Sequence, residues 1–196
     1  MQAERKTEIL DAFMRLVGRF GLDKTTMQDV AKAAGISVGS IYNDFKNKDE
    51  LIGEYTFWIQ HQLMTKSKRL LERDLPAEQL LHDLIVGIFQ LFAEEIRENR
   101  GFLQLIKGEE SFRYFRKNFV KHDMMTREFH ELIAEAMKRG VEEGVFEIDN
   151  CLQTASLFFR AFGDYLKLMV FSENPLETVA GVEEMYAFVI KAIRKR

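Results

Sequence analysis

Residues 35–39 read GISVG and fit the pattern G-x-S-x-G, which in some enzymes presents a nucleophilic serine on a tight strand-to-helix turn. Ser37 can serve that chemistry only if a strand leads into the turn. The other reactive residue types are poorly arranged for catalysis. His61, His82, His122 and His130 are scattered, and each reads as a surface or satisfied core histidine. None has Glu three residues before it, so the Glu-x-x-His element of helical di-iron sites is missing. There is no H-E-x-x-H, no cysteine pair and no phosphate-binding glycine loop. Glu109 and Glu110 are adjacent, so on a helix they face different ways. No metal, cofactor or enzymatic activity is expected.

The elements around Ser37 decide its role. The chain has 196 residues, 46% of them apolar and 30% charged, which suits a soluble globular protein with a real core. LIVGIFQLFA at 84–93 contains Gln90 and is too short to span a bilayer. No signal-peptide h-region is visible, and Cys151 stands alone, so a reducing cytoplasm is the expected location. Hairpin signals and alternating β-branched runs are absent. The two prolines, Pro76 and Pro175, sit where helices begin. The expected fold is all-α.

Helical spacing runs through Ile9, Phe13, Leu16, Val17 and Phe20, predicting a first helix over about 3–19 that Gly21 ends. Thr26 with Asp29 resembles a capping box. Met27, Val30, Ala31 and Ala34 then share one face of a short helix, closed by Gly35. What precedes Ser37 is therefore a helix, and the nucleophile elbow loses its strand. Ser37 instead caps a third helix, VGSIYNDF, with Ile41 and Phe45 pointing inward. Asn47 caps a fourth, with Glu50 at its third position, reaching to about residue 73. Two short helices joined by a tight glycine turn make a helix-turn-helix.

TMQDVAKAAGISVGSIYNDFKNKDEL resembles the signature of the TetR family of bacterial transcription regulators. The similarity rests on Ala34-Gly35-Ile36-Ser37, Gly39, Ile41-Tyr42, Phe45 and Lys48-Asp49-Glu50-Leu51. It is close over residues 5–52, whereas beyond residue 55 only the general layout is similar. It implies a helix-turn-helix DNA-binding domain over 1–47, and an effector-binding and dimerisation domain over 48–196, with about nine helices in all. The third helix is then expected in the major groove. With Ile41 and Phe45 buried, Ser37, Val38, Ser40, Tyr42 and Asn43 face the other way, and Gly39 lets the backbone approach DNA. The resemblance further implies phosphate contacts at Thr26, Tyr42 and Lys48. Asp44 departs from the family, which usually has His or Tyr there. A carboxylate at that place is expected either to repel phosphate or to accept from a cytosine amino group.

Residues 1–48 carry eight Lys/Arg and six Asp/Glu, a balance of +2, and the remainder twenty against twenty-five, or −5. That asymmetry favours a DNA-binding head, while a net charge of −3 excludes indiscriminate nucleic-acid binding.

Beyond residue 55, the apolar positions from Leu80 to Phe92 form a wide face. A seventh helix is expected over about 111–139, an eighth from Asp149 or Asn150 to about 171, and a ninth from Pro175 to near the C-terminus. Phe57, Trp58, Met64, Phe102, Phe112, Phe119, Met125, Phe158, Phe159 and Phe162, with His61 beside Trp58, are the candidate lining of an effector cavity that suits an apolar or aromatic ligand. Leu157, Phe158, Ala161, Phe162, Tyr165 and Met169, with Val179, Val182, Tyr186, Val189 and Ile193, suggest a homodimer seam on the last two helices. Arg160 is expected either to pair with an acidic residue there or to reach solvent past it. The sequence thus points to a repressor released from an inverted-repeat operator on double-stranded DNA by a small molecule. The alternative is a DNA-binding regulator or architectural protein without an effector.

Overall fold

The computed structural model describes residues 2–108 and 119–195, with side chains over 4–108 and 127–195. Ten α-helices form among the described residues. They are α1 (Gln2–Phe20), α2 (Met27–Ala33), α3 (Val38–Asp44), α4 (Lys48–Leu71), α5 (Ala77–Glu98), α6 (Arg100–Lys107), α7 (Phe119–Glu142), α8 (Cys151–Arg160), α9 (Gly163–Phe171) and α10 (Pro175–Val189). A 3-10 turn over Ile190–Ala192 follows α10. No strand forms among these residues, and one isolated antiparallel bridge pairs Phe146 with Arg194. The all-α expectation holds. The expected start of the seventh helix near residue 111 lies outside the described residues.

The helices gather into two compact units, one of residues 1–60 and 95–119, the other of 61–94 and 120–196. In the first unit, Ile9, Phe13 and Val17 of α1 are fully buried, as are Val30 and Ala31 of α2, Ile41 of α3 and Leu51 of α4. Gly21 and Gly35 take positive φ angles of 84° and 69°, so each ends its helix in the left-handed conformation that favours glycine. α1 and α6 cross backbone to backbone. A Cβ on Gly101 would overlap the Met14 carbonyl, and one on Gly18 would lie 2.9 Å from the Gly101 nitrogen. Asn99 caps α6 by accepting from the Phe102 amide at 3.0 Å. Its side-chain N–H also reaches the Tyr55 hydroxyl at 2.7 Å and Glu95 at 2.9 Å. Burial, then the neighbouring Glu95 carboxylate, pushes the Tyr55 phenol far above its usual range.

In the second unit, Leu80, Leu81, Ile85 and Phe89 of α5 are buried with Ile133, Phe162 and Val182. The expected eighth helix is broken. The chain turns at Phe162 (φ −99°, ψ −1°), and the weak helix former Gly163 follows it. The Phe162 ring goes inward, 5.9 Å from the rings of both Phe89 and Phe158. His82 bridges Asp83 at 3.2 Å and Glu183 at 2.8 Å. Burial alone would lower its pKa, but those two carboxylates outweigh burial and raise it.

Candidate nucleic-acid interface

The turn at Ser37 is built from local capping. Thr26 and Asp29 form a reciprocal box: the Asp29 amide donates to the Thr26 hydroxyl oxygen at 3.2 Å, and the Thr26 amide donates to the Asp29 carboxylate at 3.1 Å. The Thr26 hydroxyl proton is also spent on Asp29, at 2.6 Å. These Thr26 hydrogen bonds hold the Asp29 carboxyl below its ordinary pKa. A phosphate arriving here must therefore be met by other amides of the first helical turn, which lack intrahelical partners. Ser37 caps α3, accepting from the Ser40 amide at 3.1 Å and donating to the Ser40 hydroxyl at 2.9 Å. Its hydroxyl stands at a helix-to-helix turn, and its role is that of a cap.

α3 buries Ile41 alone, and Phe45 closes it with 2% exposure. The outward side carries the candidates: Ser37, Val38, Gly39, Tyr42 and Asn43 are exposed and Ser40 is half-buried. A Cβ on Gly39 would meet only the Ser37 hydroxyl, at 3.9 Å, so the protein's own packing does not require glycine there. Thr26 is exposed at the entry to α2, and Lys48 reaches back to the same turn, its ammonium donating to the Leu22 carbonyl at 3.0 Å. Two of its N–H groups remain for other acceptors.

Asp44 behaves differently from both expectations. Its side chain is 11% exposed and ion-paired with Arg5 at 2.8 Å. The N–H is not aligned on that oxygen for a hydrogen bond, but the guanidinium does donate to the Ser40 carbonyl at 3.1 Å. The carboxylate is thus met within the chain, where neither a phosphate nor a cytosine needs to answer it. Arg5 is the residue that reading the sequence missed. It lies 39 positions from Asp44, beyond any helical period.

The effector candidates fall in both units. In the first, Phe57 and Trp58 are exposed and Phe102 is buried; the Tyr55 ring lies 5.9 Å from Trp58 and 6.3 Å from Phe102. In the second, His61 is exposed, Met64, Phe158 and Phe162 are buried, and Phe159 is half-buried against Phe129 and His130, at 5.1 and 5.6 Å. Burial, then the Arg160 charge, lowers the His130 pKa. Phe112 lies outside the described residues, as do the side chains of Phe119 and Met125. An open cleft of about 610 Å³ in the first unit is lined by Asp11, Arg15, Arg19, Glu95 and Glu98 among others, and none of the effector candidates lines it.

The seam residues also need correction. Phe162, Met169 and Val182 are fully buried within the chain, and Phe158, Tyr186 and Ile193 are each 6% exposed. These six serve the chain's own core, whereas the seam candidates Leu157 and Ala161 are exposed and Tyr165, Val179 and Val189 are half-buried. The large apolar side chains left outside on these helices are Leu152, Leu157, Leu168, Phe171 and Phe188, at 47, 61, 55, 77 and 71% exposure. Arg160, the last residue of α8, is exposed.

Residues 9–55 match the sequence profile of the bacterial regulatory proteins, tetR family. Over 156 residues the chain is 28% identical to the HTH-type transcriptional repressor KstR2 of Rhodococcus jostii, covering 80% of this chain and 74% of that one. Two solved structures share the fold. The SmeT–triclosan complex is 18% identical with a TM-score of 0.75, over 98% of this chain and 92% of that one. FadR of Thermus thermophilus, a repressor in complex with lauroyl-CoA, is 20% identical with a TM-score of 0.60, over 93% of each chain.

Proposed function

From a chain that belongs to the TetR family of bacterial regulatory proteins, we propose a homodimeric repressor that leaves an inverted-repeat operator when a small molecule binds. The carrying observation is the outward face of α3. A seven-residue helix held inside by Ile41 leaves Val38, Tyr42 and Asn43 exposed and places at Gly39 a glycine that packing does not demand. Ser37, Val38, Ser40 and Asn43 read base edges there, while Tyr42, Lys48 and the α2 terminus at Thr26 hold phosphates. In this reading residues 1–47 are the DNA-binding head, and 48–196 carry effector binding and dimerisation.

Two subunits whose recognition helices stand about one helical turn apart, roughly 34 Å, fit successive major grooves. The exposed Leu157, Leu168, Phe171 and Phe188 supply the apolar surface for the dimer. An apolar or aromatic effector suits the aromatic side chains of the larger domain, and solved relatives of the fold hold triclosan and lauroyl-CoA. Among the described residues no helix is long and apolar enough to cross a membrane.

One observation favours a second reading. Phe162 is wholly buried and packed against Phe89 and Phe158, as in a filled core without an effector. A specific ligand must raise the melting temperature, so a thermal-shift screen at saturating ligand separates the two.

Genomic footprinting with the purified protein tests the main proposal. It should return short inverted repeats whose binding weakens steeply with salt, as phosphate contacts release counterions. Tyr42, 48% exposed, can be cut to alanine at little cost to stability, and tight binding should be lost. A Tyr42→Ala protein that binds like the parent would remove α3 from the interface.

A further inference from the structure

We infer that Arg5 is a positioning residue for operator recognition, fixing the angle of α3 through Asp44 and the Ser40 carbonyl; the inference rests on the DNA-binding reading above. α3 spans seven residues, barely two turns, and helices this short take their stability and orientation from what they pack against. Its apolar hold is narrow. Ile41 is its one buried residue, and Phe45 follows at its C-cap. Two anchors one turn apart fix how deeply a helix sits but leave it free to roll about the line joining them.

Arg5 supplies the missing third point. One guanidinium nitrogen lies 2.8 Å from the Asp44 carboxylate and 3.1 Å from the Ser40 carbonyl, groups four residues apart and one turn along α3. The cation sits at the carbonyl end of the helix, where the macrodipole also favours positive charge. Lys6, the next residue, places its ammonium 5.7 Å from the centre of the Phe45 ring and 4.0 Å from Glu54. The first turns of α1 thus hold the last turn of α3 by charge, while the outward residues of α3 remain available. Base-edge contacts need side chains aimed to within a fraction of an ångström, whereas phosphate attraction tolerates misalignment. Losing the clamp should therefore cost discrimination before it costs affinity for DNA in general.

The test uses the intact chain, a duplex selected by the parent protein from random-sequence DNA, and a scrambled duplex of the same composition. Arg5→Met keeps the aliphatic stem and removes the charge; Asp44→Asn keeps the shape and removes the charge. Each should lower the preference for the selected duplex by roughly tenfold, about 1.4 kcal/mol, with scrambled-duplex affinity little changed. The double variant should lose no more than Arg5→Met alone, because Asp44 acts only through Arg5, whereas Asp44→Asn by itself leaves the Arg5–Ser40 hydrogen bond. Arg5→Asp combined with Asp44→Arg should recover part of the preference, which loss of general stability would not allow. Melting curves show that each variant is folded at the assay temperature.

Additive losses, or singles that discriminate like the parent, overturn the inference. Tighter binding of Asp44→Asn to both duplexes with an undiminished preference does so too, since the lost charge then acts on phosphate without passing through the angle of α3. A parent for which no preferred duplex can be selected overturns the repressor reading, and the inference with it.

Discussion

Glycine at position 39 shows how one residue separates folding from recognition. Apart from its chain neighbours and its own helix backbone, nothing among the described residues lies closer to a Cβ there than the Ser37 hydroxyl at 3.9 Å, and the backbone is ordinary helix. Alanine is the better helix former by about 0.5–1 kcal/mol. Gly39→Ala should therefore raise the melting temperature slightly while weakening operator binding, because the added methyl stands where the backbone would approach DNA. Calorimetry beside a binding titration checks both halves; equal affinity in the variant would mean that DNA does not come close at this position. Asp44 teaches the complementary lesson. Its type suggested repulsion, yet its environment supplies the answering charge from Arg5. A residue's charge says little until its partner is known, and that partner was 39 positions away.

Among the elements, those fixed by short-range pairs were the ones the sequence made legible. Thr26 with Asp29, Ser37 with Ser40, and Ile41 with Phe45 lie three or four residues apart, so their spacing carries the caps and the inward face of α2 and α3. The crossing of α1 and α6 was not legible, because it depends on Gly18 and Gly101 meeting across more than eighty residues. Gly101→Ala should push the helices apart against the Met14 carbonyl and destabilise by about 1–3 kcal/mol, the usual cost of overpacking. Chemical denaturation would measure it, and an unchanged midpoint would show that α6 yields easily. The break at Phe162 was likewise hidden. A phenylalanine at helical spacing reads as a continuing face, whereas here its ring packs inward as the backbone turns.

At the scale of the whole molecule, periodicity could not separate core from seam, since Phe162 and Phe171 are both apolar residues in a stretch whose pattern reads as one helix. Only burial divides them, at 0 and 77% exposure. The division predicts opposite outcomes for two substitutions. Phe162→Ala should cost about 3–5 kcal/mol of stability, the loss typical of a buried aromatic. Phe188→Glu, at a side chain 71% exposed, should leave the fold intact and convert a dimer to a monomer in sedimentation. A parent chain that sediments as a monomer would remove the seam altogether. The narrow anchoring of α3 has a consequence for how such a protein changes over time. With Ile41 holding the helix inside, and Arg5 holding its far end, Val38, Tyr42 and Asn43 are exempt from the demands of the core. New target sequences can then be acquired by drift at a few exempt positions, and a library randomised there would explore operator choice while the scaffold stays constant.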